Sequence, residues 1–404
     1  MIDLKLDLLQ TLSLAAVLYF LGLELRRRIG WLDRLNIPAA VVGGLIFALL
    51  VLAGRDRFLT VQLDTAAQPV LSVAFFSTIG MGASLALLRA GGIQVVIFLG
   101  FATLFCLVQN FLGIAIATAF GHHPLLGVMA GSVTLVGGPA TGMAFAPLLE
   151  SAGLVGAGAL ALTAATFGIV CGGLTGAPIG TWLIRRFGLA PADGLGPRSG
   201  ADPVGREPAV GLVVEPDRED TPLIRNLVVL ALAMGLGSIL SRWFQSLGWT
   251  LPAYIGAMMV ASVLRNLDDV TGRLRIDQRA MEFVGGLALN IFLVVALMDL
   301  KLWQLAGQAL ALTVILAAQV LVIGLFALTV SFRLMGRDYD SAVMASGFVG
   351  FALGTTANAV TNMRALVVKY GPAPRAFLVV PLVGAFFIDF TNALIITAFV
   401  NWLR

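Results

Sequence analysis

The chain has 404 residues, of which 59% are hydrophobic and 12% are charged, about half the charged share of a typical soluble protein. This composition excludes an ordinary soluble enzyme, because a packed core cannot bury so much apolar surface, and it favours a protein of the lipid bilayer. The net charge of +4 does not indicate nucleic-acid binding, since the basic residues lie in short segments beside apolar stretches, where they act as topology signals.

Ten apolar stretches are predicted to cross the bilayer as helices, for which about 20 residues are needed. Arg26, Arg27 and Arg28 follow the first stretch directly, which indicates a retained helix and not a cleaved signal peptide. The ten stretches have the approximate bounds 8–25, 36–53, 66–88, 93–120, 155–187, 223–247, 250–264, 281–299, 305–332 and 376–402.

Two further apolar segments, 125–149 and 341–366, are rich in glycine and in small polar residues. Both are interrupted, at Gly137-Gly138-Pro139 and from Gly350 to Thr356. Glycine permits an irregular backbone, and such backbone survives at membrane depth only where protein or a water-filled cavity satisfies it. Taken singly, either segment also fits an ordinary packing helix. As a pair at equivalent positions, they are predicted to be re-entrant hairpins.

The longest polar stretch, 188–222, contains five prolines and charges of both signs, which is typical of a linker. It separates an N-terminal half, 1–187, from a C-terminal half, 223–404. Ile37-Pro38-Ala39 recurs as Leu251-Pro252-Ala253, and two further matches have nearly the same offset. Since each half has five spans and one hairpin, we expect two inverted repeats, which is a design of secondary transporters.

The basic residues predict the orientation. If the N-terminus lies outside and the chain crosses ten times, both termini are outside and the linker is cytoplasmic. Of the 26 lysines and arginines, 20 then fall inside, as the positive-inside rule requires. The first hairpin would enter from outside and the second from inside. The basic residues left outside are Lys5, Arg55, Arg57, Arg242, Lys301 and Arg404.

Two hairpin tips that meet at mid-membrane would offer freed backbone amides to an anion and freed carbonyls to a cation. Hydroxyl and amide side chains in the same segments could orient a small anionic substrate. The residues predicted to bind substrate are Thr134, Gly137, Gly138, Thr141, Gly142, Ser346, Gly350, Gly354, Thr355, Thr356 and Asn358.

A carboxylate, Asp389, lies inside the last span. Such a position costs roughly 2.5–3.5 kcal/mol on insertion scales, so it needs a function or a partner. Cation coordination, a proton relay and a structural hydrogen bond are the alternatives. Asn392 follows three residues later, on the same helix face, and Gln109 and Asn110 interrupt the fourth span. We predict that these four residues contribute to a cation site, with hydrogen bonds between helices as the alternative role of Gln109 and Asn110.

Enzyme motifs do not accompany these residues. The sequence has no Walker lysine motif, no Gly-x-Ser-x-Gly elbow and no His-Glu-x-x-His. We therefore expect neither catalysis nor ATP-driven pumping, and no cofactor other than a coupling ion. An ion gradient could supply the energy, at about 2.3 kcal/mol per charge and 100 mV. A passive channel is the distant alternative, which steady uphill accumulation would exclude.

Several strings resemble a known family over nearly the whole chain. The strings are Ala74 to Gly80, Gly131 to Gly138, Met298 to Leu305, Met335 to Val343 and Ala376 to Leu394. They resemble the bacterial sodium/glutamate symporters. This resemblance implies ten spans, two re-entrant hairpins with glycine-rich tips, an inner-membrane location and an elevator-type homodimer. It also implies sodium-coupled uptake of an acidic amino acid, so the cation expected at Asp389, Asn392, Gln109 and Asn110 is sodium.

The hairpin tips depart from the pattern of that family. Glutamate members typically carry Gly-Gly-His-Gly-Thr-Gly at the first tip, where this chain has Gly137-Gly138-Pro139-Ala140-Thr141-Gly142. The second tip also differs at several positions. The resemblance thus implies sodium-coupled glutamate symport as the first expectation. Another organic anion as cargo, or protons as the coupling ion, are the near alternatives.

Overall fold

The computed structural model describes residues 2–54, 59–191 and 221–404. Most of the predicted linker, 192–220, and the predicted outer residues Arg55 and Arg57 lie outside these ranges. The helices before the linker are α1 Leu8–Arg28, α2 Gly30–Arg34, α3 Ala39–Gly54, α4 Ala67–Gly82, α5 Leu85–Ala90, α6 Gly92–Ala119, α7 Pro124–Val128, α8 Gly138–Ser151 and α9 Ala157–Phe187.

The helices after the linker follow a similar order. They are α10 Thr221–Ser246, α11 Ala253–Thr271, α12 Gln278–Met298, α13 Ala309–Phe326, α14 Phe332–Leu334, α15 Tyr339–Leu353, α16 Thr356–Tyr370, α17 Pro374–Leu382 and α18 Ile388–Leu403. A 3₁₀ segment, Leu302–Gln308, precedes α13. Three π-helical turns, Met129–Val133, Ala327–Ser331 and Val383–Phe387, lie within or between helices.

Among the described residues, seven helices are long and apolar enough to cross a membrane, which makes the chain a polytopic, essentially all-α membrane protein. They are α1, α6, α9, α10, α12, α13 continued by α14, and α17 continued by α18. The other predicted spans are shorter or less apolar: α3 and α4 have 16 residues each, and α11 carries charged residues near its end. The predicted span 66–88 is divided at Ala83-Ser84, where the Ser84 hydroxyl caps α5.

A short parallel sheet adds to the all-α architecture that the sequence predicted. Strands β1 Ile2–Leu6 and β2 Leu59–Leu63 pair in register, with Ile2 opposite Leu59 and Leu6 opposite Leu63. Both segments alternate apolar and polar residues, which is the period of a strand. A segment of five residues was too short to stand out beside apolar stretches of about 20 residues.

Six helices form a first bundle, in which α1 packs on α3, α10 packs on α11, and α4 and α12 lie between these pairs. Glycines let the paired helices approach closely. A Cβ atom on Gly22 would overlap the Ala39 carbonyl of α3, and one on Gly237 would overlap the backbone of Ala257 in α11. The same small-residue packing therefore recurs in the two halves.

The remaining long helices, α6, α9, α13 and α17–α18, form a second bundle around two helical hairpins. Hairpin 1 comprises α7, the π-helical turn after it, and α8; hairpin 2 comprises α15 and α16. Hairpin 1 turns at Val136-Gly137, and hairpin 2 turns at Gly354-Thr355. Each turn is thus narrower than the interruption predicted from the sequence, and Gly350 lies inside α15.

The ends of hairpin 2 lie together on the side where α9 ends, which we call the linker face. Buried Tyr339, at the start of α15, donates a 2.5 Å hydrogen bond to the carbonyl of Gly371, just after α16. Arg185 near the end of α9 donates to the Tyr370 hydroxyl at 3.3 Å. On the opposite face, Arg404 at the chain end donates to the hydroxyl of Ser151, which ends hairpin 1.

Replacing Tyr339 by phenylalanine should lower the free energy of unfolding by about 1–3 kcal/mol, because it leaves a buried carbonyl without its donor. Thermal unfolding of the purified protein measures this change. Tyr370→Phe removes a hydroxyl with an exposed partner and should cost less than about 0.5 kcal/mol. Equal effects of the two substitutions would contradict a structural role for the Tyr339–Gly371 bond.

A candidate substrate and ion site at the hairpin tips

The two hairpin turns lie next to each other in the second bundle. Gly138, the first residue of α8, has φ +67°. A Cβ atom on it would lie 3.6 Å from the carbonyl oxygen of Gly354 and 4.0 Å from Cγ2 of Thr355. The structure therefore brings together the glycines at which the chain interrupts its two small-residue segments.

Hairpin 2 packs against a row of glycines on α9, at Gly168, Gly172, Gly176 and Gly180. A Cβ atom on Gly168 would overlap the carbonyl of Leu353, the residue before the second turn. One on Gly180 would lie 2.9 Å from Cβ of Ser346. Since glycines spaced by four residues share one helix face, α9 offers hairpin 2 a smooth groove from its turn to its base.

Two amides of hairpin 2 fix it in this groove. Asn358 Nδ2 donates to the carbonyl of Ile169 at 2.8 Å, and Asn362 Nδ2 donates to the carbonyl of Gly172 at the same distance. Both asparagines are buried. These bonds join α9, from the first half, to the turn region of the second half.

Hairpin 1 is held at a kink by two amides from neighbouring helices. Gly131 interrupts its helical backbone with φ −101° and ψ −129°. The next residue, Ser132, donates its N–H to Asn110 Oδ1 at 3.0 Å and accepts from Asn392 Nδ2 at 2.9 Å. The two predicted sodium-site asparagines, on α6 and α18, therefore converge on one residue of hairpin 1.

Gln109 contacts hairpin 2 instead. Its side-chain Nε2 donates to the carbonyl of Ala352 at 3.1 Å, while its backbone carbonyl accepts from Gln319 Nε2 of α13 at 2.7 Å. Gln109 and Asn110 are neighbours in sequence but point to different hairpins. The two amide side chains of α6 thus contact one hairpin each.

Several buried oxygens in and around the two hairpins have no hydrogen-bond partner among the described residues. They are Gln109 Oε1, Ser132 Oγ, Gln319 Oε1, Ser346 Oγ and Asn392 Oδ1. Buried polar atoms are nearly always satisfied, so each such atom calls for a ligand, an ion or a water. Neutral amide and hydroxyl oxygens suit a hard cation, and the donor set fits sodium in this respect.

Apart from Gly138, Gly354 and Asn358, which are described above, the predicted substrate residues divide into two groups. Gly137, Thr355 and Thr356 are half-buried at the turns, and Thr355 Oγ1 caps α16 by accepting from the N–H of Asn358 at 3.3 Å. Thr134, Thr141, Gly142, Ser346 and Gly350 are buried in the hairpin arms. Of these, Thr134 donates to the Met129 carbonyl at 2.6 Å.

Asp389 lies apart from the amide contacts of hairpin 1. It is half-buried at the start of α18 and close enough to Cys106 of α6 to interact with it electrostatically. Thr391 meets Thr103 of α6 with 3.1 Å between their hydroxyl oxygens. Within the described ranges, no group of three or more His, Cys, Asp or Glu side chains is placed to hold a metal, so a cation would rely mainly on neutral oxygens.

The two hairpins differ in how they are covered. On α16, Ala357 beside the turn is exposed, and so are Thr361, Ala365 and Val368 on the same helix face. On α8, every residue from Gly138 to Ala146 is buried. The turn region is therefore open along hairpin 2 towards the linker face and covered along hairpin 1.

A charged cavity of about 320 Å³ lies on the opposite face, between α8, α9 and the end of α12. Glu150, Asp299 and Lys301 line it. Burial raises the pKa of Asp299, and the neighbouring Lys301 offsets part of this rise. The cavity is separated from the turns by the buried part of α8.

Three residues of this region were not predicted from the sequence as site residues. Ser132 and Gln319 carry unsatisfied oxygens, and Asn36 donates to Asn358. Ser132 stood within the small-residue string of hairpin 1, which was the available signal. Gln319 is an amide inside an apolar stretch, as Gln109 is, so the same signal could have found it. Asn36 lies outside both hairpins, and it is neither in a small-residue segment nor in the interior of an apolar span, so no sequence signal marked it.

Comparison with known proteins identifies the family of the chain. The family model for the sodium/glutamate symporter matches residues 4–372. The sodium/glutamate symporter of Escherichia coli (strain K12) is 38% identical over 393 residues, which cover 97% of this chain and 96% of that protein. The sodium/glutamate symporter of Haemophilus influenzae is 36% identical over 394 residues, 95% of each chain. The chain therefore belongs to the sodium/glutamate symporter family.

Proposed function

We propose that this protein is a secondary active transporter that carries glutamate across the membrane together with sodium. The observation that carries this proposal is the meeting of two helical turns, Gly138 beside Gly354, among buried oxygens without partners. Unwound backbone and half-helix ends supply both anion and cation sites in transporters. The relatives named for sodium and glutamate support the same cargo and ion.

The ion and the substrate would occupy different parts of the site. Sodium would bind the free oxygens around Ser132, Asn392 and Gln109, with Asp389 supplying negative charge from α18. The carboxylates of the substrate would bind the backbone amides at the start of α8 and α16, where helix N-termini favour anions. Thr355 and Thr356 would orient them. Binding of one charge would thus lower the cost of binding the other.

The arrangement in the membrane follows from the same proposal. Ten spans in two inverted repeats would place hairpin 1 in the outer half of the membrane and hairpin 2 in the inner half. The recurring glycine contacts of α1 with α3 and of α10 with α11 support this repeat. Both termini would lie outside and the linker in the cytoplasm, in the bacterial inner membrane, as the excess of basic residues on that side favours.

Movement of the second bundle against the first would provide alternating access. The open face of α16 then corresponds to a conformation that faces the cytoplasm. Exposed apolar side chains on the first bundle, such as Phe20 and Val17 of α1, suit contact with lipid or with a second copy. We propose a homodimer of the elevator type.

Uptake of labelled glutamate into proteoliposomes tests the function. We expect accumulation against the glutamate gradient when a sodium gradient points inward, and none when sodium is replaced by potassium. Uphill transport driven by a proton gradient alone would assign the coupling to protons. Equilibration without accumulation would assign a passive channel.

Another organic anion is the one competing cargo. Pro139 and Ala140 at the first turn favour it, because they replace the usual family residues. A panel of unlabelled carboxylates added to the uptake assay would resolve it. Glutamate should compete best. Stronger competition by an organic acid without an amino group would replace glutamate by another anion and leave the fold and the ion site unchanged.

A further inference from the structure

A contact between the two bundles lies at the open side of hairpin 2. Asn36, in the connection from α2 to α3, donates from Nδ2 to Asn358 Oδ1 at 3.0 Å and to the hydroxyl of Thr361 at 3.3 Å. Both acceptors lie on α16, one and two turns from the hairpin tip. Asn36 belongs to the first bundle, so these bonds tie hairpin 2 to the bundle against which it would move.

The direction of the Asn36 bonds is fixed. Asn358 already uses Nδ2 to donate to Ile169 of α9. Its Oδ1 therefore remains to accept, and only a donor can meet it. Asn36 supplies this donor, so α9, hairpin 2 and the first bundle are joined by a chain of two amides.

The backbone of Asn36 is also unusual. Its φ of +55° lies in the left-handed region, which residues with a Cβ atom seldom adopt, although asparagine tolerates it better than most. Glycine would fit this backbone with less strain. The amide side chain is therefore the property that glycine could not provide at this position.

The contact lies beside the exposed face of α16. Ala357 and Thr361 are exposed on the same face of α16, while the matching arm of hairpin 1 is buried. The contact thus exists in the conformation in which the turns are reachable from the linker face. If hairpin 2 moves away from the first bundle, so that the exposed face of α16 becomes covered, the two Asn36 bonds must break.

We propose that Asn36 is a latch that holds hairpin 2 in the position open to the linker face. It acts by binding Asn358 and Thr361, and so sets the balance between the two access states of the transporter. This role rests on the proposed movement of one bundle against the other. It does not depend on which anion or cation is carried.

The test measures the accessibility of the turn without substrate or sodium. A cysteine introduced as Ala357→Cys is labelled with a membrane-impermeant maleimide from the linker side, in inside-out vesicles. The parent chain, with Cys106 and Cys171 alone, gives the background. Asn36→Gly keeps the backbone conformation and removes both bonds. It should slow labelling of the introduced cysteine by about three- to tenfold, the population shift that one net hydrogen bond supports.

A matched control is Arg275→Gly, because Arg275 is another non-glycine residue with positive φ, +48°, and lies in the connection from α11 to α12. It should leave the labelling rate unchanged. Thr361→Ala removes one acceptor and should give a smaller shift in the same direction. Together with Asn36→Gly it should add little, since both act on one contact.

Unchanged or faster labelling in Asn36→Gly, with a monodisperse protein, would overturn the latch. If that variant does not fold, the labelling rate is measured in Thr361→Ala and in Asn36→Asp, which cannot donate to Asn358. Unchanged or faster labelling in both would overturn the latch. Failure of glutamate uptake would count against the proposed cargo and would leave the labelling result intact. The two proposals can therefore fail separately.

Discussion

Replacing Gly168 by alanine is expected to abolish transport and to destabilise the protein by about 3 kcal/mol or more. Overpacking costs roughly 1–3 kcal/mol where flexible side chains can move aside. Here the new Cβ atom would overlap the Leu353 carbonyl, a backbone atom next to the second turn. The turn must shift for α9 to keep its place, and the tip contact with Gly138 would be lost.

Thermal unfolding and sodium-dependent uptake measure the two effects of Gly168→Ala. Gly100→Ala and Gly286→Ala are matched controls, since both glycines lie in long apolar helices with nothing within 4 Å of a new Cβ atom. These controls should retain uptake and gain slightly in stability, because alanine favours helix more than glycine does by about 1 kcal/mol. Wild-type uptake in Gly168→Ala would show that the α9 groove does not position hairpin 2.

Replacing Asp389 by asparagine is expected to weaken activation by sodium much more than it weakens folding. The substitution keeps the shape of the side chain and removes its charge. A unit charge about 8 Å from the ion attracts it by on the order of 2 kcal/mol at an effective dielectric constant of about 20. The sodium concentration for half-maximal uptake should therefore rise by about tenfold or more, since 1.4 kcal/mol corresponds to a factor of ten.

The control for Asp389→Asn is the same exchange outside the second bundle, at Asp7. Asp7 caps α1 by accepting from the N–H of Gln10 at 2.8 Å, and asparagine caps a helix about as well. Sodium activation should not change in Asp7→Asn. If Asp389→Asn also keeps normal sodium activation while its unfolding temperature falls, Asp389 has a structural role next to Cys106.

Sequence reasoning reached the membrane class because hydropathy alone determines it. A stretch of about 20 apolar residues has few alternatives to a membrane helix. The exact helix ends could not be predicted as well from the sequence. The break at Ala83-Ser84 depends on the Ser84 hydroxyl, which accepts from Leu87 N and meets Asp269 Oδ2 at 2.5 Å, a contact across 185 residues that no local pattern reveals.

The candidate site was accessible in part for a similar reason. Asn110 and Asn392 stood out as amides in apolar spans, because an amide in such a place needs a partner. Their common partner, Ser132, could not be derived, since serine is frequent in small-residue segments. The position of Asp389 away from that contact was equally hidden. Asp389 and Asn392 both follow the π-helical turn Val383–Phe387 and lie about 60° apart around α18, so the packing of α18 against α6 and hairpin 1 decides which of them reaches Ser132.

The crossed packing of the halves has a consequence for biogenesis. Ser132 of hairpin 1 accepts a hydrogen bond from Asn392, which lies 260 residues later in the chain. Gly168 of the α9 groove likewise packs against Leu353, which is synthesised much later. Until synthesis is nearly finished, hairpin 1 has its neighbours α6 and α9 from the first half but lacks Asn392, and the α9 groove lacks hairpin 2. The nascent protein must therefore shelter them in the insertion machinery, and truncation within the last helix should leave both hairpins without a stable place.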